Sequence, residues 1–327
     1  MNGYSSEASR NLGRFLLFLS SALGVALAAT WLGIQEIVSA SPNLPTCKTW
    51  VTISQITGDT IWKLTDSPYC VSKDLNIPAG LTLTINPGVI VYFSEAASGI
   101  RVFGNLLANG TTSQKIIFTS YSDSPSPGNW GQLRVESGGS GSFNNCEIAY
   151  AGSAGHYEYG LGILSNAVQV QNCRIHHNYG NGIETNGSNG VSPTIADSEI
   201  DHNTRYAIYE QPGVGLVYDR GPTYHNLTLH DNGYDVLLMI AGSLNFDRIL
   251  DGYSGLNGKP IFISNSSFII RAGKTLTLTP GTTMQFDNSV RLIDYGTLFS
   301  EGTPTLPITF TTDEAIKAPR RLERHKN

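Results

Sequence analysis

A four-residue phrase recurs through the middle of the chain and strongly restricts the folds open to it. Each copy begins with Asn or Asp and ends with an aliphatic residue. The copies are Asn145-Cys146-Glu147-Ile148, Asn172-Cys173-Arg174-Ile175, Asp197-Ser198-Glu199-Ile200 and Asn226-Leu227-Thr228-Leu229. They start at residues 145, 172, 197 and 226, so the steps are 27, 25 and 29 residues. A period of this size is typical of solenoids, in which each repeat buries its apolar side against the next.

A second phrase follows the last three copies in constant register. Its copies are Ile175-His176-His177-Asn178, Ile200-Asp201-His202-Asn203 and Leu229-His230-Asp231-Asn232, each followed by a second short apolar segment. Stacking would bury one column of Ile148, Ile175, Ile200 and Leu229 and another of Ile183, Ile208 and Leu237. One coil per repeat requires parallel ladders, and such connections are nearly always right-handed. We therefore expect an all-β, right-handed parallel β-helix, with the three Asn amides hydrogen-bonded in a column.

A longer repeat brackets these coils. The segment at residues 79–88 resembles the segment at residues 272–281, and both alternate Leu or Ile with Thr before a Pro-Gly turn. Such alternation is typical of strands with one buried face. We predict about ten coils over residues 61–312, because the 25- to 29-residue repeat fits that length about ten times.

The composition supports a turn-rich β protein. There are 35 Gly, and only 14% of the residues are charged, against about 25% in an average globular domain. The formal net charge is −5, and no basic stripe follows any segment. These values argue against nucleic acid as a partner.

The N-terminus predicts export. Arg10 and Arg14 precede an apolar run over residues 15–34, and the small-residue triplet ending at Ala40 suits a signal peptidase. The alternative is an uncleaved helical anchor, in which residues 15–34 are the only contact with a membrane. The predicted segments are a signal or anchor helix (1–40), a cap or linker (41–60), the β-helix (61–312) and a charged, disordered tail (313–327).

Export would place the four cysteines in an oxidising compartment. Cys47 and Cys70 flank the start of the mature domain and are predicted to form a disulfide across its first turn. Cys146 and Cys173 occupy equivalent positions in adjacent repeats, where we expect small buried side chains.

The first bracketing repeat carries a family resemblance. Its residues include Ile77-Pro78-Ala79-Gly80-Leu81-Thr82-Leu83-Thr84-Ile85-Asn86-Pro87-Gly88, Gly104-Asn105-Leu106, Ile117-Phe118-Thr119-Ser120 and Gly128-Asn129-Trp130-Gly131. They resemble bacterial right-handed β-helix repeat proteins of the pectin-lyase-like superfamily, which are secreted or lie at the cell surface. The resemblance covers roughly residues 60 to 312 and implies the fold and export, but not an activity.

Enzymes of that superfamily need a carboxylate or calcium centre. The motifs of inverting galacturonidases are missing from the sequence, and Ca²⁺ would be needed only by a lyase. The nearest acidic set is Asp197, Glu199 and Asp201, which we interpret as a solvated strand face. Asp219 and Arg220 are the weak catalytic candidates.

Ligand-binding candidates come from aromatic and turn residues. Exposed tyrosine rings can contact glycans or proteins through an apolar face and a polar tip. These candidates are Tyr157, Tyr159, Tyr179, Tyr206, Tyr218 and Tyr224. The column of His177, His202 and Asp231 is expected to stack within about 5 Å, and we interpret it as polar turn residues rather than as a metal site.

These observations predict an exported, non-catalytic β-helix module that is secreted or lies at the cell surface. Its expected role is structural or adhesive, with a glycan or a cell-surface protein as partner and no cofactor. The alternative is an extracellular polysaccharide lyase or glycoside hydrolase of the same superfamily.

Overall fold

The computed structural model describes residues 44–312, apart from residues 156, 187–190 and 214. The predicted signal or anchor segment (1–40) and the predicted tail (313–327) lie outside these residues. In the described part, all regular structure is β-strand except for a 3-10 turn, Leu64–Asp66. No helix there has the length and apolar character needed to cross a bilayer.

The strands, in chain order, are β1 (Thr49–Val51), β2 (Thr60–Trp62), β3 (Tyr69–Val71), β4 (Asp74–Ile77), β5 (Thr82–Ile85), β6 (Ile90–Phe93), β7 (Gly99–Val102), β8 (Asn105–Asn109), β9 (Ile116–Ser120), β10 (Leu133–Val135), β11 (Ser140–Asn144), β12 (Cys146–Ala149), β13 (Tyr159–Ile163), β14 (Ala167–Gln171), β15 (Arg174–His176), β16 (Asn181–Thr185), β17 (Thr194–Ala196), β18 (Glu199–Asp201), β19 (Tyr206–Glu210), β20 (Val217–Tyr218), β21 (Thr223–His225), β22 (Thr228–His230), β23 (Tyr234–Ile240), β24 (Ser243–Leu244), β25 (Arg248–Leu250), β26 (Ile261–Ser264), β27 (Phe268–Ile270), β28 (Thr275–Leu278), β29 (Thr283–Phe286), β30 (Leu292–Asp294), β31 (Thr297–Ser300) and β32 (Thr309–Thr312).

Every third strand or so returns to the same sheet, so the chain winds as a right-handed parallel β-helix of about ten coils. The first sheet has the order β1-β3-β6-β9-β12-β15-β18-β22, and the second runs through ten strands from β4 to β32. The third sheet has the order β2-β5-β8-β11-β14-β17-β21. Strand β1 lies inside the segment predicted as a cap or linker (41–60), yet it pairs with β3. The first sheet therefore begins earlier than the sequence predicted.

The wall of the helix changes after β21. The third sheet ends there, and two smaller sheets, β20-β24-β27-β30 and β25-β28-β31, form the wall of the last coils. A cavity of about 390 Å³ lies beside this break, with Thr223 of β21 and Arg248 of β25 in its lining. The sequence did not predict this discontinuity, because the two bracketing repeats look alike.

The predicted aliphatic columns are confirmed. Ile148 pairs in register with Ile175, Ile175 with Ile200, and Ile200 with Leu229. The second column, Ile183 to Ile208 to Leu237, also stacks in register. All of these side chains are buried, and each contributes about 1.5–3 kcal/mol by leaving water.

The predicted asparagine ladder is also confirmed. Nδ2 of Asn178 donates to Oδ1 of Asn203 at 2.9 Å, and Nδ2 of Asn203 donates to Oδ1 of Asn232 at 2.8 Å. The backbone N–H of Asn178 donates to the same Asn203 oxygen at 3.1 Å. The ladder ends at Asp235, whose Oδ1 accepts from Nδ2 of Asn232 at 3.0 Å. Each amide thus satisfies polar groups that the bend would otherwise bury without partners.

The bends that flank the first sheet use left-handed backbone conformations. The residues that open the repeated phrase, Asn145, Asn172, Asp197 and Asn226, have φ between 48° and 52°. At the other end of the same strands, Tyr150, His177, His202 and Asp231 have φ between 52° and 66°. Asn, Asp and His adopt this region more readily than most residues, which explains why the repeated turns are rich in them.

Two equivalent positions of the bracketing repeat, Gly104 and Gly296, require glycine because the backbone there passes close to another coil. A Cβ on Gly104 would lie 2.2 Å from the carbonyl oxygen of Pro78, and a Cβ on Gly296 would lie 2.3 Å from that of Arg271. The loop at each place therefore passes directly over the preceding coil, and only glycine leaves room for that approach.

The cysteines occupy two environments. Cys47 and Cys70 form a disulfide with their Cα atoms 5.9 Å apart, and it ties residues just before β1 to β3. Cys146 and Cys173 are buried free thiols inside adjacent coils.

Replacing Asn203 with Ala should destabilise the fold by about 3 kcal/mol or more. The change removes the acceptor of Asn178 and the donor to Asn232 and to the Ile175 carbonyl, which leaves several buried polar groups unpaired. Urea unfolding followed by circular dichroism measures the loss. Asn288→Ala, at an exposed turn, should stay within about 0.5 kcal/mol of the unmodified protein. Equal losses in the two variants would contradict a structural role for the ladder.

Candidate functional site

The six tyrosines predicted to bind ligands are less accessible than expected. Tyr218 is 1% exposed and Tyr159 is 6% exposed, so the prediction of an exposed ring is wrong for both. The Tyr218 hydroxyl donates to the carbonyl of Ile240 at 2.6 Å. The Tyr159 ring covers Gly162, where a Cβ would come within 2.5 Å of it. The remaining four, Tyr157, Tyr179, Tyr206 and Tyr224, are half-buried.

Tyr218 and Tyr224 are held by an interior ion pair at the break in the wall. Glu210 binds the Arg248 guanidinium through contacts of 2.5 and 2.8 Å, and both side chains are almost fully buried. The Tyr224 hydroxyl donates to Glu210 at 3.0 Å, and the Arg248 guanidinium lies 5.7 Å from the centre of the Tyr218 ring. Burial raises the pKa of both tyrosines. These residues stabilise the interior where the third sheet ends.

Tyr206 belongs to an aromatic row on the outer side of the second sheet. Its ring stacks on Tyr234 with 4.9 Å between centroids and lies 6.3 Å from Tyr209. These rings pack against a small apolar cluster outside the main core. This packing explains why Tyr206 is half-buried.

The predicted turn column proves to be part of a larger group, which we name the histidine cluster. It consists of Glu147, Arg174, His176, His177, Glu199, Asp201, His202, His230 and Asp231. The rings of His177 and His202 stack with 4.7 Å between centroids and 5° between planes. The expected separation of about 5 Å therefore describes these two rings well, while Asp231 reaches the column through His230, with Nδ1 to Oδ2 at 2.7 Å.

Carboxylates orient the rings of the histidine cluster. His202 Nδ1 lies 2.6 Å from Asp201 Oδ2, and His176 Nε2 lies 3.1 Å from Glu147 Oε1. His230 bridges two acids, since its Nε2 lies 2.8 Å from Glu199 Oε1. The hydrogen bond to Asp231 raises the pKa of His230 the most, and the hydrogen bond to Glu199 raises it further. In contrast, the pKa of His177 is lowered. Burial is the main cause, and the charges of His176 and His202 lower it further.

The interpretation of Asp197, Glu199 and Asp201 as one solvated strand face is wrong. Asp201 is fully buried, because Arg174 covers it with bonds of 2.9 and 2.7 Å. Burial raises the pKa of Asp201, but the hydrogen bonds from Arg174 and His202 outweigh that effect and the net change is downward. Asp197 precedes β18 at a left-handed bend, so it does not continue the strand.

Asp219 and Arg220 both lie exposed, just after β20. Asp219 accepts a hydrogen bond from Asn245 at 2.7 Å. Among the described residues, no hydrogen bond joins these two weak catalytic candidates to the histidine cluster.

A cleft that the sequence did not predict, which we name the Asp74 cleft, opens where successive coils enter the second sheet. Its volume is about 360 Å³, and its polar lining includes Asp74, Gln132 and Tyr157. Small residues make up most of the remaining lining: Ala96, Ala97, Gly128, Gly131, Ser153 and Ala154. Asp74 is the first residue of β4, and the other lining segments precede β7, β10 and β13, so four neighbouring coils build the cleft.

A buried tryptophan holds one wall of the Asp74 cleft in place. Trp130 stacks on Phe93 with 4.0 Å between centroids, and its Nε1–H donates to the carbonyl of Ala149 at 2.7 Å. Gly128 and Gly131 on either side of it then face the cleft. The Gly-x-Trp motif was the sequence signal available here, although it indicated the family rather than a site.

Two residues that line the Asp74 cleft each have a buried oxygen with no hydrogen-bond donor among the described residues: Asp74 Oδ1 and Gln132 Oε1. Burial raises the pKa of Asp74, against the opposing effects of Arg101 and Gln132. Nearby, Glu136 is bound by Arg101 at 2.6 Å and lies 3.3 Å from Arg134. Buried polar atoms are normally paired, so the two acceptors are the feature that suits this cleft to a ligand.

Comparisons with known proteins agree with the fold. A family model described as a right-handed β-helix region matches residues 126–289, and a pectate-lyase-like β-helix model matches residues 54–193. The Drosophila melanogaster protein named "Protein bark beetle" is 35% identical over 69 residues, which are 21% of this chain and 2% of that protein. No solved structure matches the chain.

The repeated coils and parallel sheets define a β-helix solenoid. The chain belongs to the right-handed β-helix family, within the pectin-lyase-like superfamily. The chain spans only a small fraction of its insect relative, and the bacterial origin implied by the resemblance stays a prediction.

Replacing Asp74 with Asn should make the protein relatively more stable as the pH rises. Because the pKa of Asp74 is raised in the fold, the folded state holds this proton more tightly than the unfolded chain. Stability is therefore lost as the pH rises above the ordinary carboxyl value, near 3.8, through the raised value. Asn cannot ionise and avoids that loss.

Urea unfolding of both proteins between about pH 3.5 and about pH 7 tests this expectation. The difference in unfolding free energy should shift in favour of Asp74→Asn across the range. Asp287→Asn, at an exposed turn, is the control and should show no such trend. A difference for Asp74→Asn that is independent of pH would show that its carboxyl group is not perturbed by burial.

Proposed function

We propose that this chain is an exported, non-catalytic β-helix module that binds a glycan in the Asp74 cleft. The observation that carries the proposal is the pair of buried, unpartnered acceptors, Asp74 Oδ1 and Gln132 Oε1, in a cleft of about 360 Å³. Sugar hydroxyl groups are donors, so they would satisfy both oxygens once a small side-chain rotation turns these buried atoms toward the cleft. A cavity of this size accommodates a sugar unit.

Further features of the cleft favour a sugar over an ionic ligand. Tyr157 supplies an aromatic ring in the lining, and such rings offer an apolar surface with a polar tip to a sugar. The small side chains of the other lining residues leave the opening wide. The two positive charges near the cleft face two carboxylates, since Arg101 and Arg134 both engage Glu136 and both also act on Asp74. A neutral, hydroxyl-rich ligand suits that balance.

Export is supported by the N-terminal sequence and by the cysteines. Basic residues, an apolar run and a small-residue triplet precede the domain. The Cys47–Cys70 disulfide suits an extracytoplasmic location, because disulfides persist in oxidising compartments. A secreted or surface location in turn gives the module access to extracellular glycans or cell-surface proteins, in a structural or adhesive role.

The alternative is a polysaccharide lyase or glycoside hydrolase. A lyase needs a base and several carboxylates that converge on Ca²⁺. The carboxylates of the histidine cluster are engaged by Arg174 and by imidazoles. Asp219 is bound to Asn245. The acid–base arrangement therefore favours binding without turnover.

A glycan array probed with the purified protein tests the proposal. Binding to a defined glycan is expected, and Asp74→Asn should weaken it about tenfold, since a hydrogen bond to a charged acceptor is worth about 1.5–3 kcal/mol. Gln132→Leu removes the second acceptor at similar volume and should also weaken binding. Asp287→Asn loses the same charge at an exposed turn and should bind as the unmodified protein does.

The same glycans, assayed for cleavage with and without Ca²⁺, separate binding from catalysis. No new reducing ends or unsaturated products are expected. Turnover that is lost in Asp219→Ala or Arg220→Ala would establish the enzymatic alternative. Binding that is unchanged in both Asp74→Asn and Gln132→Leu would remove the cleft from the proposal.

A further inference from the structure

Part of the histidine cluster has the composition of a transition-metal site. One potential ligand atom from each of His202, His230 and Asp231 lies within 4.8 Å of those of the other two. Zn²⁺ binds imidazole nitrogen and carboxylate oxygen at about 2.0–2.2 Å. Ligand atoms around such an ion lie about 3–3.5 Å apart in a tetrahedral arrangement, so small side-chain rotations would bring the three groups into range.

The three groups come from neighbouring coils and are presented by regular structure. His202 and Asp231 occupy equivalent left-handed bends, with φ of 52° and 56°, directly after β18 and β22. His230 is the last residue of β22. The Asn203–Asn232 ladder bond of 2.8 Å lies beside these bends and fixes their vertical spacing. The donor set is therefore held by the stacked coils rather than by a loop.

Each imidazole already has the outer hydrogen bond that metal-binding histidines require. Asp201 accepts from His202 Nδ1 at 2.6 Å, which leaves Nε2 of His202 to carry the lone pair. Glu199 accepts from His230 Nε2 at 2.8 Å, so Nδ1 of His230 faces Asp231. Carboxylates in this position orient the ring and increase its basicity toward a metal. The ion pair that Arg174 makes with the buried Asp201 holds one of these carboxylates in place.

Access from solvent is available. The side chains of His202, His230 and Asp231 are 43%, 37% and 64% exposed, whereas Asp201 beneath them is fully buried. A cation can therefore reach the outer atoms without opening the coil. His177, stacked on His202, flanks the same opening.

We propose that His202, His230 and Asp231 bind a late first-row divalent transition metal such as Zn²⁺, with Asp201 and Glu199 as the outer partners of the two imidazoles. The metal takes the place of the proton between His230 and Asp231, which passes to solvent. Two imidazoles and one carboxylate favour Zn²⁺, Cu²⁺ or Ni²⁺ over Ca²⁺ or Mg²⁺, which prefer oxygen ligands. This metal site lies on the first sheet. It does not depend on the proposed glycan binding in the cleft beside the second sheet.

Isothermal titration of the chelator-treated protein with Zn²⁺ tests the proposal, with protein purified without a polyhistidine tag. One ion per chain is expected. The variants His202→Asn, His230→Gln and Asp231→Asn should each weaken binding by at least about tenfold. Asn is chosen at the two bends because it tolerates the left-handed conformation. His225→Gln is the control, since His225 is an exposed histidine of β21 in the third sheet.

Two further measurements separate a loss of metal binding from a loss of folding and identify the type of ligand atom. Thermal unfolding of each variant without metal shows whether it folds, and Zn²⁺ should raise the midpoint of the unmodified protein and of His225→Gln only. Substitution with Co²⁺ should give visible absorption bands of a nitrogen- and oxygen-ligated ion. Absence of saturable binding at millimolar Zn²⁺, or a loss in His225→Gln equal to that in His202→Asn, would overturn the proposal.

Discussion

Stacking of equivalent residues in successive coils is the interaction on which the rest of the structure depends. A single coil can neither bury its aliphatic side chains nor pair its backbone groups, so its stability comes from the coils above and below. Ile175 shows both contacts, with Ile148 on one side and Ile200 on the other. A register slip of one residue would turn the whole aliphatic column outward. The asparagine ladder prevents such slips, because its amides bond only when the bends are aligned.

This dependence explains why the fold could be predicted from the sequence. Stacked positions must carry similar residues, so the three-dimensional neighbour of Ile200 can be found by counting along the chain. The aliphatic columns and the ladder of Asn178, Asn203 and Asn232 followed directly from that rule. The break after β21 did not follow, because the two bracketing repeats look alike and give no sign that the wall between them changes. There the buried pair of Glu210 and Arg248 replaces the regular wall, and nearby tyrosines that were expected outside are drawn inward.

The Asp74 cleft was harder to predict because it combines side chains that no repeat relates. Asp74 and Gln132 meet in one cleft although they come from different coils and resemble each other in no local pattern. The burial of Asp201 was missed for a similar reason. Its strand pattern indicates an outward side chain, which is correct, but Arg174 on the preceding coil lies across it. Outward direction and solvent exposure are separate properties whenever long side chains on adjacent coils reach over one another.

The bends next to the first sheet link stability with chemistry. At His177, His202 and Asp231, the left-handed residue turns the chain so that the following Asn enters the ladder, while its own side chain stays outside. The inward position admits little variation, since a missing amide leaves buried groups unpaired. The outward position carries Tyr150, His177, His202 or Asp231 in successive coils, so its side chain can change without disturbing the column within. A β-helix can therefore acquire a binding site on such a bend with little loss of stability, because the groups that hold the coils together and the groups that face a ligand belong to different residues.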